Sequence, residues 1–368
     1  MTKTISEKIK GIAILLMIAH HLFMVGSGKN FIPLNSWIPV ELFLSVTGKI
    51  CVGLFAFVSG YGLFLANGGS PGFKPQFRRI LNFLGYYWAA CIGAVILLSA
   101  TGNMPKTETS GIVWDFAAIT CTMSGAWWFA GPYILFLFFL PFTQYILRNK
   151  TVLIISLSLL IYFISDASLY NKAFRILSGS AYSSWIYRLQ PLSLFTYIQL
   201  IFFTGYITAK HDIINRFLLL LGKLPQKRRK ILFFAIIVLL FSLRYYAIDI
   251  YLFIKPGNRQ ILIDYPLYQY VAAYHIDFIF APVTAAALAG FLSRNKNLLN
   301  FFGRHSINIW LFHGIIIKVL RPISNYIQHT ILIFLIITGL SIFYSLVILC
   351  LRNIFKQLAQ KIKNGKNK

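Results

Sequence analysis

The chain is 368 residues long, and its 58% hydrophobic and 12% charged residues give it about half the charged share of a soluble globular domain. Its 35 Lys and Arg against 9 Asp and Glu leave a net charge of +26, yet the basic residues stand in short blocks between long apolar runs. That pattern argues against nucleic acid as a partner and marks a polytopic membrane protein.

At about 20 residues per crossing, the apolar runs predict an all-α fold of about ten transmembrane helices. They lie near 9–27, 40–66, 80–100, 127–147, 151–166, 190–209, 231–254, 271–292, 306–321 and 328–352. The fifth and ninth are short and read as half-buried or broken helices lining a cavity. Counted by alternate segments, one side receives 24 of the 35 basic residues. Basic loops stay inside, which places both termini in the cytoplasm. The sequence thus divides into a membrane domain over 1–355 and a basic cytoplasmic tail over 356–368. The first apolar run has no small-residue cleavage context and is expected to remain in the mature protein. Cys51, Cys91, Cys121 and Cys350 have neither metal-ligand spacing nor a disulfide pattern.

The first helix carries Lys10 and, eleven residues further, His21, with His20 beside it. At 1.5 Å per residue His21 lies about 16 Å in, halfway or more across a hydrocarbon core of about 30 Å. An ionisable side chain at that depth is costly and marks a functional site, although a histidine can also serve as a hydrogen-bonded packing residue. Successive residues cannot face one direction on a helix, so one of the pair works and the other packs. A neutral His21 can act as general base toward a hydroxyl, and Lys10 at the cytoplasmic end can meet a phosphate.

The second helix holds Gly53, Ser59, Gly60, Tyr61 and Gly62. Its small residues suit close helix approach, and Ser59 and Tyr61 are candidates for a cavity wall. Lys74, Arg78 and Arg79 follow as a cytoplasmic basic cluster, which either fixes topology or binds phosphate. The segment 166–190, like 101–126 and 255–270, reads as an outer loop whose aromatic and polar residues suit a membrane belt or a surface meeting sugar. The basic block at 222–230 reads as stop-transfer charge and contact with anionic membrane lipid. His275 and Asp277 lie towards the outside and are weak candidates for an acceptor site, since residues at i and i+2 do not share a helix face. Late in the chain, Asn308, Trp310 and His313 either line the same cavity or make packing contacts, and His305 sits near the interface. The sequence has no HExxH motif, no glycine-rich nucleotide loop and no paired carboxylates in an outer loop. No metal site is expected.

Taken together, KIKGIAILLMIAHHLF, VGLFAFVSGYGLF and HSINIWLFH resemble the first-helix, second-helix and late signatures of acyltransferase family 3, the integral-membrane O-acyltransferases of cell-surface glycans. Lys10 and His21 fit the family's spacing of a basic residue, ten residues and a histidine. The family's pair of arginines separated by two residues is only partly present, because Gln76 stands three residues before Arg79, while Lys74 and Arg78 supply nearby charge. The resemblance implies transfer of an acyl group, most often acetyl, from cytoplasmic acyl-coenzyme A to a hydroxyl of an extracytoplasmic or lipid-linked glycan. It implies no bound cofactor, with acetyl-coenzyme A as a donor substrate, and a multi-pass protein of the cell membrane. Lys10, Lys74, Arg78 and Arg79 would hold the coenzyme, while His21 would act as base. Some relatives carry a fused esterase-like domain; here transfer is expected to finish in the membrane domain or on a separate partner. The rival reading is a transporter of polysaccharide or lipid-linked oligosaccharide, which would need neither acyl-coenzyme A nor His21.

Overall fold

The computed structural model describes residues 1–26, 33–35, 38–68, 72–105, 109–147, 150–164, 194–246, 266–293, 295–324 and 330–365. Within them the chain is a helical bundle with one short antiparallel ladder, β1 (Pro33–Asn35) on β2 (Ile38–Pro39). The helices in chain order are α1 (Lys3–Gly26), α2 (Val40–Gly48), α3 (Ile50–Ala66), α4 (Phe73–Ala100), α5 (Thr109–Phe116), α6 (Ala130–Tyr145) and α7 (Thr151–Ile164). There follow α8 (Phe195–Lys210), α9 (Ile213–Leu220), α10 (Gln226–Tyr245), α11 (Pro266–Phe291), α12 (Leu298–Ser324) and α13 (Thr330–Gly365). Short 3-10 turns at Gly125–Phe129 and Leu221–Lys223 precede α6 and α10.

Among the described residues, four stretches are long and apolar enough to cross a membrane: Phe43–Ala66, Phe73–Ala100, Gly125–Thr143 and Ile331–Leu358. The first and third are 61% and 56% buried within the bundle, the second and fourth only 28% and 22%. An inner layer is therefore wrapped by α4 and α13, whose Ile92, Ile96, Phe343 and Leu346 turn outward as lipid-facing apolar side chains do. At the centre runs α1, with Ile9, Ala13, Ile14 and Ile18 fully buried and α12, α2 and α3 packed around it.

Glycine sets how closely these helices approach. A Cβ on Gly11 would overlap the Leu299 carbonyl, and one on Gly303 the Glu7 carbonyl, so α1 and α12 meet backbone to backbone. The same reciprocal contact joins α3 to α8, where Gly60 faces the Phe202 carbonyl and Gly205 the Phe57 carbonyl. Gly62 has nothing within 4 Å among the described residues.

Hydrogen bonds gather the basic segments at one end of the bundle. Lys8 Nζ donates to the Ser293 carbonyl at 2.9 Å, and Asn300 Nδ2 to the Thr4 carbonyl at 2.8 Å. The amino terminus donates to Tyr61 Oη at 2.6 Å and Asn215 Oδ1 at 3.1 Å, and Lys210 Nζ to Thr151 Oγ1 at 3.1 Å. Arg352 donates to Asn82 and lies 4.4 Å from the Tyr86 ring centroid.

Each predicted apolar run overlaps a described helix, but among the described residues only the four stretches above, not ten, are long and apolar enough to cross a membrane, and three further details differ. Helices predicted from 80, 231 and 306 begin at Phe73, Gln226 and Leu298. Hydropathy sees only the apolar part of a helix, whereas Lys, Arg and Gln continue one readily. The predicted span 40–66 is two helices, α2 and α3, meeting at Lys49. The helix α13 runs through the predicted boundary at 355 to Gly365. The predicted outer segment 166–190 and most of 255–270 lie outside the described residues.

Candidate active site

Eleven residues of helix amount to three turns and about 20°, so Lys10 and His21 stand on one face of α1 with Met17 between them. Lys10 and Met17 line a partly open cavity of about 580 Å³, a volume that includes space continuous with solvent. Its other walls are Val52, Phe55 and Ser59 of α3, Phe83 of α4, Phe129, Tyr133 of α6, and Ser306, Ile307 and Trp310 of α12. Much of that wall is a continuous aromatic surface. Phe83 stacks on Trp310 at 6.1 Å between centroids, Phe129 meets Trp310 edge-on at 5.7 Å, and Phe83 meets Tyr133 at 5.0 Å.

One turn beyond Met17, the half-buried His21 places Nδ1 2.7 Å from Nε2 of His313 on α12. The two rings are parallel within 6°, with centroids 5.0 Å apart. His313 is fully buried, and its Nδ1 lies 2.8 Å from the Trp310 carbonyl and 3.0 Å from the Ile309 carbonyl. His20 faces α2 instead, with Nδ1 2.5 Å from the Ser45 carbonyl and Cβ against Gly48. The adjacent histidines thus meet different helices, His20 facing α2 and His21 facing His313 of α12.

A pair of tryptophans clamps the His313 turn. Trp127 Nε1 donates to the Leu311 carbonyl at 2.6 Å, and Trp310 Nε1 donates to the Ala126 carbonyl at 2.8 Å. The segment leading to Trp127 is ordered by the buried Asp115 carboxylate. It accepts from Thr120 Oγ1 at 2.5 Å, from the Thr122 backbone N–H at 2.9 Å and hydroxyl at 2.7 Å, and from the Met123 N–H at 2.7 Å. Neither Asp115 nor Trp127 stands out in the sequence as a site residue, because their partners lie in other segments or on backbone atoms.

The basic cluster divides as well. Lys74 and Arg78 are exposed. Arg79 is half-buried and donates to Asn67 Oδ1 at 2.6 Å and Gln76 Oε1 at 3.0 Å, while Gln76 Nε2 donates to the same Asn67 oxygen at 3.1 Å. Gln76, the departure from the paired-arginine pattern, is therefore a brace for Arg79.

Of the residues expected on the wall, Ser59 and Trp310 are there, and Tyr61, Asn308 and His313 are not. Tyr61, two residues from Ser59, turns away to the amino terminus of the chain. Asn308 donates to Ser345 Oγ at 3.0 Å, which is also 2.9 Å from His305 Nδ1, so both belong to a polar seam between α12 and α13. His313 faces His21 beyond the cavity. Asp277 forms a buried ion pair with Arg244 of α10, a partner the sequence does not reveal. The side chain of His275 lies outside the described residues.

No curated protein and no solved structure matches the chain. The family model described as Acyltransferase domain matches residues 7–350, a span that includes α1 from the turn before Lys10, the cavity, and both histidines. The chain therefore belongs to acyltransferase family 3 and is a membrane acyltransferase.

Proposed function

We propose that this protein is an O-acyltransferase of the cell membrane that moves an acyl group, acetyl foremost, from cytoplasmic acyl-coenzyme A to a hydroxyl of an extracytoplasmic or lipid-linked glycan. The observation that carries the reading is the single face of α1 on which Lys10 and Met17 line an apolar cavity and His21 follows one turn further, hydrogen-bonded to His313. The coenzyme phosphates dock at the basic end of the bundle, on Lys10 and Arg79, with the exposed Lys74 and Arg78 adding positive potential. The aromatic wall of Phe83, Phe129 and Trp310 suits a pantetheine arm and the acyl group it delivers. His21 removes the proton of the acceptor hydroxyl as that oxygen attacks the thioester carbonyl.

The test is transfer of label from radiolabelled acetyl-coenzyme A into surface or lipid-linked glycan, in membranes with and without the chain. Label that depends on the chain is expected. Absence of chain-dependent transfer from acetyl-coenzyme A and from longer or charged acyl-coenzyme A donors would overturn the reading.

A further inference from the structure

Hydrogen bonding around the two histidines is decided by the backbone. Nδ1 of His313 lies 2.8 Å from the Trp310 carbonyl and 3.0 Å from the Ile309 carbonyl. A carbonyl oxygen only accepts, so Nδ1 of His313 carries a proton. A neutral imidazole has one N–H, and Nε2 of His313 is therefore a bare acceptor. That atom lies 2.7 Å from Nδ1 of His21, which must then be the donor. A second proton on His313 would reverse the relay, but it would charge a fully buried ring whose hydrogen-bond partners are two carbonyls and another histidine.

From this chain of donors and acceptors we infer that His313 is a positioning residue, which holds the proton of His21 on Nδ1 and leaves Nε2 bare as the atom that receives the acceptor's proton. The inference rests on the reading of His21 as the base. In the transfer step the acceptor oxygen forms its bond to the acyl carbon and its proton passes to His21 Nε2. The carbon–sulfur bond breaks, and the thiolate takes that proton as coenzyme A leaves. Throughout, His21 Nδ1–H stays on His313 Nε2, which supports the transient imidazolium. Trp310 links this relay to the substrate side, because its ring lines the cavity while its carbonyl holds His313.

The experiment uses the full chain in lipid bilayers, labelled with 15N-histidine, with the His21 signals assigned by their loss in His21→Asn. In the wild type, His21 is expected to show a protonated Nδ1 and an unprotonated Nε2. His313→Leu should lose that preference and lower kcat by about 100-fold, with KM for acetyl-coenzyme A unchanged. His313→Gln, whose amide oxygen can accept from Nδ1–H, should recover about tenfold of the loss. A wild-type His21 protonated on Nε2, or a tautomer indifferent to His313→Leu, would overturn the inference. The wild-type spectrum decides even if the leucine variant fails to fold. Activity retained in His21→Ala would strike the base reading alone, since the tautomer is read without turnover.

Discussion

Lys10 and His21 are legible in the sequence because both lie on one continuous helix, where a spacing of eleven fixes a shared face. The partner of His21 is not legible, since His313 lies 292 residues away and only the packing of α1 on α12 brings it near. The same limit hides the role of Gln76, which reads as a defect in a motif until its bonds to Arg79 and Asn67 are seen. Tyr61 shows the converse: its neighbour Ser59 lines the cavity, but two residues of helix turn the side chain some 200° away. If Lys10 meets a coenzyme phosphate, Lys10→Ala should raise KM for acetyl-coenzyme A about tenfold while kcat changes little, and Lys10→Arg should restore most of it. Steady-state kinetics on purified protein in nanodiscs would check this, and an unchanged KM would remove Lys10 from the donor site.

The helices hold together through features that sequence patterns mark only ambiguously. Every glycine of the Gly53 to Gly62 stretch invites the reading of close approach, yet a Cβ on Gly60 would strike a carbonyl and one on Gly62 would meet open space. Gly303→Val should therefore cost about 3 kcal/mol or more by forcing α1 from α12, while Gly62→Ala should leave the unfolding midpoint unchanged. Thermal unfolding in detergent would separate them, and equal midpoints would contradict the seam. The Arg244–Asp277 pair pins α10 to α11 inside the bundle. Asp277→Asn leaves a buried guanidinium uncompensated, with an expected loss of about 3–5 kcal/mol, whereas replacing both residues by leucine should cost less than the single change. A double variant weaker than Asp277→Asn would show that the pair is needed for more than mutual neutralisation.

Across the whole molecule, hydropathy marks where the helices lie, because lipid demands apolar side chains on them. The inner and outer layers do not follow from it, since the stretches Phe43–Ala66 and Ile331–Leu358 are both apolar and only packing makes one 61% and the other 22% buried. Nor does the cavity, which takes its walls from α1, α3, α4, α6, α12 and the turn before α6. In the proposed mechanism the donor would enter at the basic end along the aromatic wall, with His21 one turn beyond Met17. The decisive comparison is transfer of radiolabelled acetyl from acetyl-coenzyme A to glycan by the wild type and His21→Ala at matched abundance and equal acetyl-coenzyme A binding. Transfer by the wild type with a loss of at least about 100-fold in the variant is the expected result. Comparable transfer by both would contradict a base on the first helix.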